Sequence, residues 1–207
     1  MGHYTANIGP ALTTVGLLLA LAACSQGQSL DVSVVDDASE ELATATPEVA
    51  PVTFTQPSLC TEILPPSAVA GLAEDGIELT QGPGSSSSEP IFIDDKTPEE
   101  RVGGISCLFS IPGDEESGVY VLLSVAPIDP AVRPGVIADL LDQKPNVGSA
   151  PDGAVTYWMW GDEVLVPALH NSLYEDSWYS ALLQPGGRGA YDRGVALVQA
   201  MRSATTG

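Results

Sequence analysis

The chain has 207 residues, enough for one domain and some additional length, and 27 acidic against 7 basic residues give a formal net charge of −20. A surface this negative excludes nucleic acid and anionic lipid headgroups as partners, because both require clustered Lys or Arg. The hydrophobic fraction of 44% belongs to a folding chain rather than to a wholly disordered one.

The first element is a leader. Residues 11–23, "ALTTVGLLLALAA", form an apolar run too short to span a bilayer, which needs about 20 residues. It has the length of a signal-peptide h-region. The tetrapeptide Leu21-Ala22-Ala23-Cys24 looks like a bacterial lipobox, in which the Cys thiol takes up a diacylglycerol and becomes the mature N-terminus. Two acyl chains (palmitate-type) anchor stably where one is marginal. This reading makes 1–23 a lipoprotein signal peptide, Cys24 the lipidation site, and the extracytoplasmic face of the cell membrane the location. The bland alternatives are a plain secretory signal with a chance cysteine and a buried N-terminal helix. The n-region "MGHYTANIGP" departs from the usual pattern, having His3 and the amine but no Lys or Arg. Residues 24–57 are rich in Ser, Thr, Ala, Pro and acids, with no basic residue, and read as a disordered acidic tether. A chain of that length reaches roughly 30 Å. Within it, "LDVSVV" could alternatively form a strand.

Residues 58–207 read as a single α+β domain. "SLCTEILPPSAVAGLA" (58–73) is helical with an interruption at Pro65-Pro66; Ser58 is a cap candidate and Ser67 lies near the restart. "IELT" is a short strand, and 81–90 a turn or loop. "PIFID", "ISCLFS" and "GVYVLLSVAPI" have the β-branched and aromatic content of strands. Residues 129–143 read as a helix, with Asp129 as cap, Pro130 in the first turn, and Val132, Val136, Ile137, Leu140 and Leu141 on one face. "AVTYWMW", "DEVLVPALH" and "DSWYSALLQ" follow as strands, the first two joined by a tight hairpin at Gly161-Asp162. After a break at 185–189, residues 190–204 form an amphipathic helix, with Tyr191, Val195, Val198 and Met201 on one face and Arg193 and Arg202 elsewhere. This helix-strands-helix-strands-helix order predicts an antiparallel sheet with helices packed on one side.

Cys60 and Cys107 remain once Cys24 is assigned to the anchor. In an exported chain an even remainder reads as one disulfide. Metal binding would need further ligands at tight spacing, and beyond the leader the chain has a single histidine, His170. The segments "CTEILPPSAVAGL" and "ISCLF" resemble a group of actinobacterial secreted lipoproteins built around a domain of unknown function. Those proteins combine a lipobox, an acidic or Thr/Pro-rich tether, a Cys opening a short helix, and a second Cys on a strand followed two residues later by Trp. Cys60 and Cys107 match the two cysteines, while Phe109 stands at the Trp position. The resemblance spans roughly residues 58–204. It implies an exported α+β domain held by one disulfide, and no catalytic residue.

The candidates for chemistry are few. Ser172, His170 and Asp176 contain the residue types of a hydrolase triad, without a Gly-x-Ser-x-Gly elbow; the bland reading of His170 is a hydrogen-bonded strand-end residue. Acidic clusters at Asp94-Asp95, Glu99-Glu100 and Asp114-Glu115-Glu116 offer oxygens to calcium but lack the twelve-residue loop pattern, so they read as solvated loop charge. No cofactor, metal site or catalytic residue is assigned. The aromatics are the more suggestive set. Trp158 and Trp160 share one strand face, with Tyr157 and Met159 on the other and Trp178 on a nearby strand, with Tyr179 alternating against it. The bland reading is core packing; the functional reading is a ligand surface formed by Trp158, Trp160 and Trp178. The expected function is a membrane-anchored envelope lipoprotein whose non-enzymatic domain binds an envelope protein, lipid or glycan. The alternatives are an envelope enzyme acting on wall glycan or peptide through carboxylates or His170, and a structural or chaperone-like accessory.

Overall fold

The computed structural model describes residues 52–87 and 96–207. Cys24, "LDVSVV", "PIFID" and Asp94-Asp95 therefore lie outside the described residues. Among the described residues seven strands, β1 (Glu78–Gln81), β2 (Ile105–Ser110), β3 (Tyr120–Pro127), β4 (Asn146–Ser149), β5 (Val155–Met159), β6 (Ala168–Leu173) and β7 (Ser177–Gln184), form one sheet of order β1-β2-β3-β7-β6-β5-β4. Every neighbouring pair is antiparallel. Among the described residues four α-helices accompany it: α1 (Pro66–Glu74), α2 (Pro98–Arg101), α3 (Arg133–Asp142) and α4 (Arg188–Thr205). The α+β class and the antiparallel sheet are as the sequence predicts, and Cys60 and Cys107 form a disulfide. The helical stretch at 58–73 divides where Pro65-Pro66 withhold backbone donors, into a 3-10 turn at Cys60–Glu62 and α1. Leu59, not Ser58, is at the N-cap position of that turn; Ser58 instead donates to Glu62.

Strand alternation sorts the core into two layers. On one face Val121, Leu123 and Val125 of β3 stand opposite Leu183, Ala181 and Tyr179 of β7. α1 and α4 cover this face through Leu72, Leu197, Val198 and Met201, with the disulfide at its edge. Gly194 lets α4 approach closely, since a Cβ there would lie 3.2 Å from Leu183 Cδ1. Tyr179 is fully buried, donates to or accepts from Thr205 Oγ1 at 2.8 Å, and meets Phe54 and Tyr174 edge-on. Phe54 draws the preceding chain in. Thr55 N donates to Thr205 O at 2.8 Å, and Phe54 N to Asp176 Oδ2. Thr53–Thr55, near the end of the 24–57 stretch read as tether, is thus held against the end of α4.

The predicted helix layer is α1 with α4. The shorter α2 and α3 add cover to the opposite face, because Trp178 and Tyr179 alternate: Trp178 packs with Val136 and Leu140 of α3, Ile128, Tyr157 and Leu173. Under α2 the same face holds a ladder of hydroxyls, with Thr97 Oγ1 at 2.7 Å from Ser106 Oγ and Ser106 Oγ at 2.8 Å from Ser124 Oγ. The acidic pair at α2 is accordingly not solvated loop charge. Glu99 is buried within this layer, and Glu100 completes a capping box with Thr97. Burial pushes the Glu99 carboxyl above its ordinary value. Asp114 and Glu116 are exposed in the turn between β2 and β3.

The expected tight hairpin at Gly161-Asp162 is instead an ordered loop from Trp160 to Pro167, and strand β6 begins only at Ala168. Asp162 Oδ1 accepts from the backbone N–H groups of Val164, Leu165 and Val166, so the carboxylate takes the place of a strand partner. Among the described residues no helix is long and apolar enough to cross a membrane.

Candidate functional site

Between α4 and strands β4–β6 lies a cleft of about 640 Å³, within the size range of small-molecule sites, about 300–1,000 Å³. Tyr191, Val195, Val198 and Arg202 form the helix wall, and Thr156, His170 and Ser172 rise from the sheet. Val52, at the point where the chain joins the domain, also lines it. The helix spacing explains one correction. Arg202 follows Tyr191 by eleven residues, close to three helical turns, so it shares the cleft-facing stripe rather than lying apart from it. Its guanidinium lies 3.5 Å from the Tyr174 ring centroid and donates to Asp152 Oδ2 at 3.0 Å. Tyr174 OH donates to the same oxygen at 2.6 Å. These donors hold Asp152 below the ordinary carboxylate range despite partial desolvation. Burial and the neighbouring carboxylate push the Tyr174 phenol up.

His170 lines the cleft from the sheet side. It retains only 6% of its accessible surface, and Tyr191 meets its ring edge-on at 5.6 Å. Ser172 Oγ lies 3.2 Å from Nε2, while Nδ1 has no hydrogen-bond partner. The structure thus brings together two of the three triad types but not the third. A triad carboxylate must orient the histidine through Nδ1, and Asp176 instead accepts from Phe54 N and Ser177 Oγ. Desolvation pushes the imidazole down to about 4. His170 is therefore neutral at pH 7, with one nitrogen unsatisfied.

Beyond Tyr191 the aromatic wall continues. Trp158 lies 5.2 Å from Tyr191 and stacks on Trp160 at 5.6 Å, and the Arg188 guanidinium sits 5.0 Å from the Trp160 ring centroid. Trp160 is 45% exposed. Trp158 and Trp160 thus share a surface, with Tyr157 and Met159 on the reverse face, as alternation requires. Trp178 does not join them. β6 separates β7 from β5, and the Trp178 ring points to the opposite face, 3% exposed, with Nε1 donating to Asn171 Oδ1 at 2.9 Å. The sequence reading missed Tyr174, Asp152, Tyr191 and Arg202 as site residues; the i, i+4, i+7, i+11 recurrence along α4 was the available signal for the last two. Among the described residues no three His, Cys, Asp or Glu side chains converge to hold a metal ion. No family model matches the chain, and neither a curated protein nor a solved structure does.

Two buried titratable groups set opposing pH dependences. The unfolded chain protonates His170 below about 6.5 and the folded one only near 4, so stability falls as pH drops through this window, by at most about 3 kcal/mol and less where water enters the cleft. Glu99 has a raised carboxyl, so its contribution falls as pH rises above its ordinary value of 4.5. Between pH 4.5 and 6.5 the two slopes oppose. Urea unfolding across this range should show Glu99→Gln losing stability toward acid, His170→Gln losing it toward neutral pH, and the parent chain flatter than either. Identical pH profiles for all three would contradict these assignments.

Proposed function

We propose that this chain is an envelope lipoprotein, anchored through Cys24 on the extracytoplasmic face of the membrane, whose domain binds a ligand or partner without transforming it. The cleft between α4 and the sheet carries the reading. It is a preformed cavity with a few convergent polar groups, beside the partly exposed ring of Trp160. The lipobox, the acidic segment after it and the resemblance to secreted actinobacterial lipoproteins support the location. A photo-crosslinking amino acid at Gln199, on the exposed rim of the cleft, should give an adduct in host cells. The same group at Leu141, on the exposed side of α3, should give none. Equal labelling at both positions, or none at Gln199, would count against the cleft as the binding surface.

The 3.2 Å contact between Ser172 and His170 favours a second reading, an envelope hydrolase. The unpartnered Nδ1 weighs against it. The binding reading predicts that the bound molecule is recovered chemically unchanged, whereas the hydrolase reading predicts its cleavage and the loss of that cleavage in Ser172→Ala.

A further inference from the structure

We infer that the cleft binds a neutral, hydroxyl-rich molecule, a short oligosaccharide, with one hydroxyl on the His170 imidazole. This inference deepens the binding reading above and rests on it. Three observations carry it. The charged groups of the cleft, Asp152 and Arg202, pair with each other at 3.0 Å, and Asp152 also accepts from Tyr174. A ligand with net charge would have to break that arrangement to find a counter-charge, at the cost of leaving one charge unpaired. The other polar groups are neutral: hydroxyls from Thr156, Ser172 and Ser203, and the amide of Gln199, set against Val195 and Val198. Hydroxyls alternating with apolar C–H faces match that lining, whereas an acyl chain would bury its polar groups without partners.

The third observation is the nine-tenths buried His170, whose Nδ1 is unsatisfied and without accessible surface, so that the ring turns toward the cleft to meet a ligand. If Ser172 donates to Nε2, Nδ1 carries a hydrogen and needs an acceptor; if Nε2 donates to Ser172, Nδ1 needs a donor. A hydroxyl serves either tautomer, while a carboxylate or phosphate serves only one. Tyr191, edge-on to His170, supplies an aromatic surface for the sugar's C–H groups.

The chain's only histidines are His3 and His170, so imidazole nitrogens report on the site with little ambiguity. The full chain, ¹⁵N-labelled at histidine and held in detergent micelles, would be titrated separately with maltotriose, cellotriose, mannotriose, trigalacturonate and octanoate. The expected result is a saturable shift of the His170 ring nitrogens with at least one neutral trisaccharide and none with trigalacturonate or octanoate. Val195→Trp, which fills the cleft, should weaken that saturation about tenfold or more while the near-UV circular dichroism remains that of a folded chain. A saturable response to octanoate or trigalacturonate alone would overturn the ligand class and leave the cleft as a site. Silence from every probe would overturn the ligand class and the cleft reading together.

Discussion

Replacing Cys60 and Cys107 together by alanine is expected to cost about 4 kcal/mol of folding stability, from the chain entropy that the crosslink removes from the unfolded state. The two cysteines are 47 residues apart, so the closed loop includes the 3-10 turn, α1, β1, α2 and the start of β2. Without the bond, the unfolded chain regains the freedom of that loop, while the folded state keeps its packing around Ile63, Leu72 and Phe109. A loss of this size is a large share of the about 5–15 kcal/mol typical of a whole domain. It should lower Tm by about 8–16 °C for a domain of this size. Reduction with dithiothreitol should reproduce the effect in the parent chain and add nothing in the double variant. Cys24→Ala should leave the unfolding transition unmoved, since that residue is assigned to the anchor. A double variant as stable as the parent would contradict the structural role given to the pair.

The second large effect separates the tryptophans. Trp178→Ala should cost about 3–5 kcal/mol, because it removes a fully packed ring and leaves Asn171 Oδ1 without its donor. Trp160→Ala should cost about 1 kcal/mol or less, since it loses one partly exposed stack and one solvated guanidinium contact. Binding should respond in the reverse order, with Trp160→Ala weakening it and Trp178→Phe leaving it unchanged. Urea denaturation of the two alanine variants measures the first contrast. Equal costs, or a larger one at Trp160, would reject the division of these rings between core and surface.

That division also shows what the sequence could and could not convey. The β-branched and aromatic content of "ISCLFS" and "YVLLSVAP" reads directly as β2 and β3, and two cysteines in an exported chain read as a pair. Alternation within "SWYSALLQ" likewise places Trp178 and Tyr179 on opposite faces. What no local pattern supplies is which face Trp178 shares with Trp158, because that depends on how β7, β6 and β5 register against one another. β4, "NVGS", has too little apolar content to announce a strand and exists through its ladder to β5. α2 is a single turn fixed by the Thr97–Glu100 cap and the hydroxyls beneath it. The cleft was legible in part. His170 and Ser172 stand two residues apart on one strand and were visible as a pair. Asp152, Tyr174, Tyr191 and Arg202 come from separate elements, and only the fold assembles them.

The proposed function requires a lipid-modified Cys24 that holds an oxidised domain outside the cytoplasm. Intact-mass analysis of the protein from host membranes tests this in one measurement. The predicted species begins at Cys24, carries diacylglycerol, partitions into detergent, and lacks two hydrogens because Cys60 and Cys107 are joined. An unmodified chain that begins at another residue and has both thiols free would contradict it.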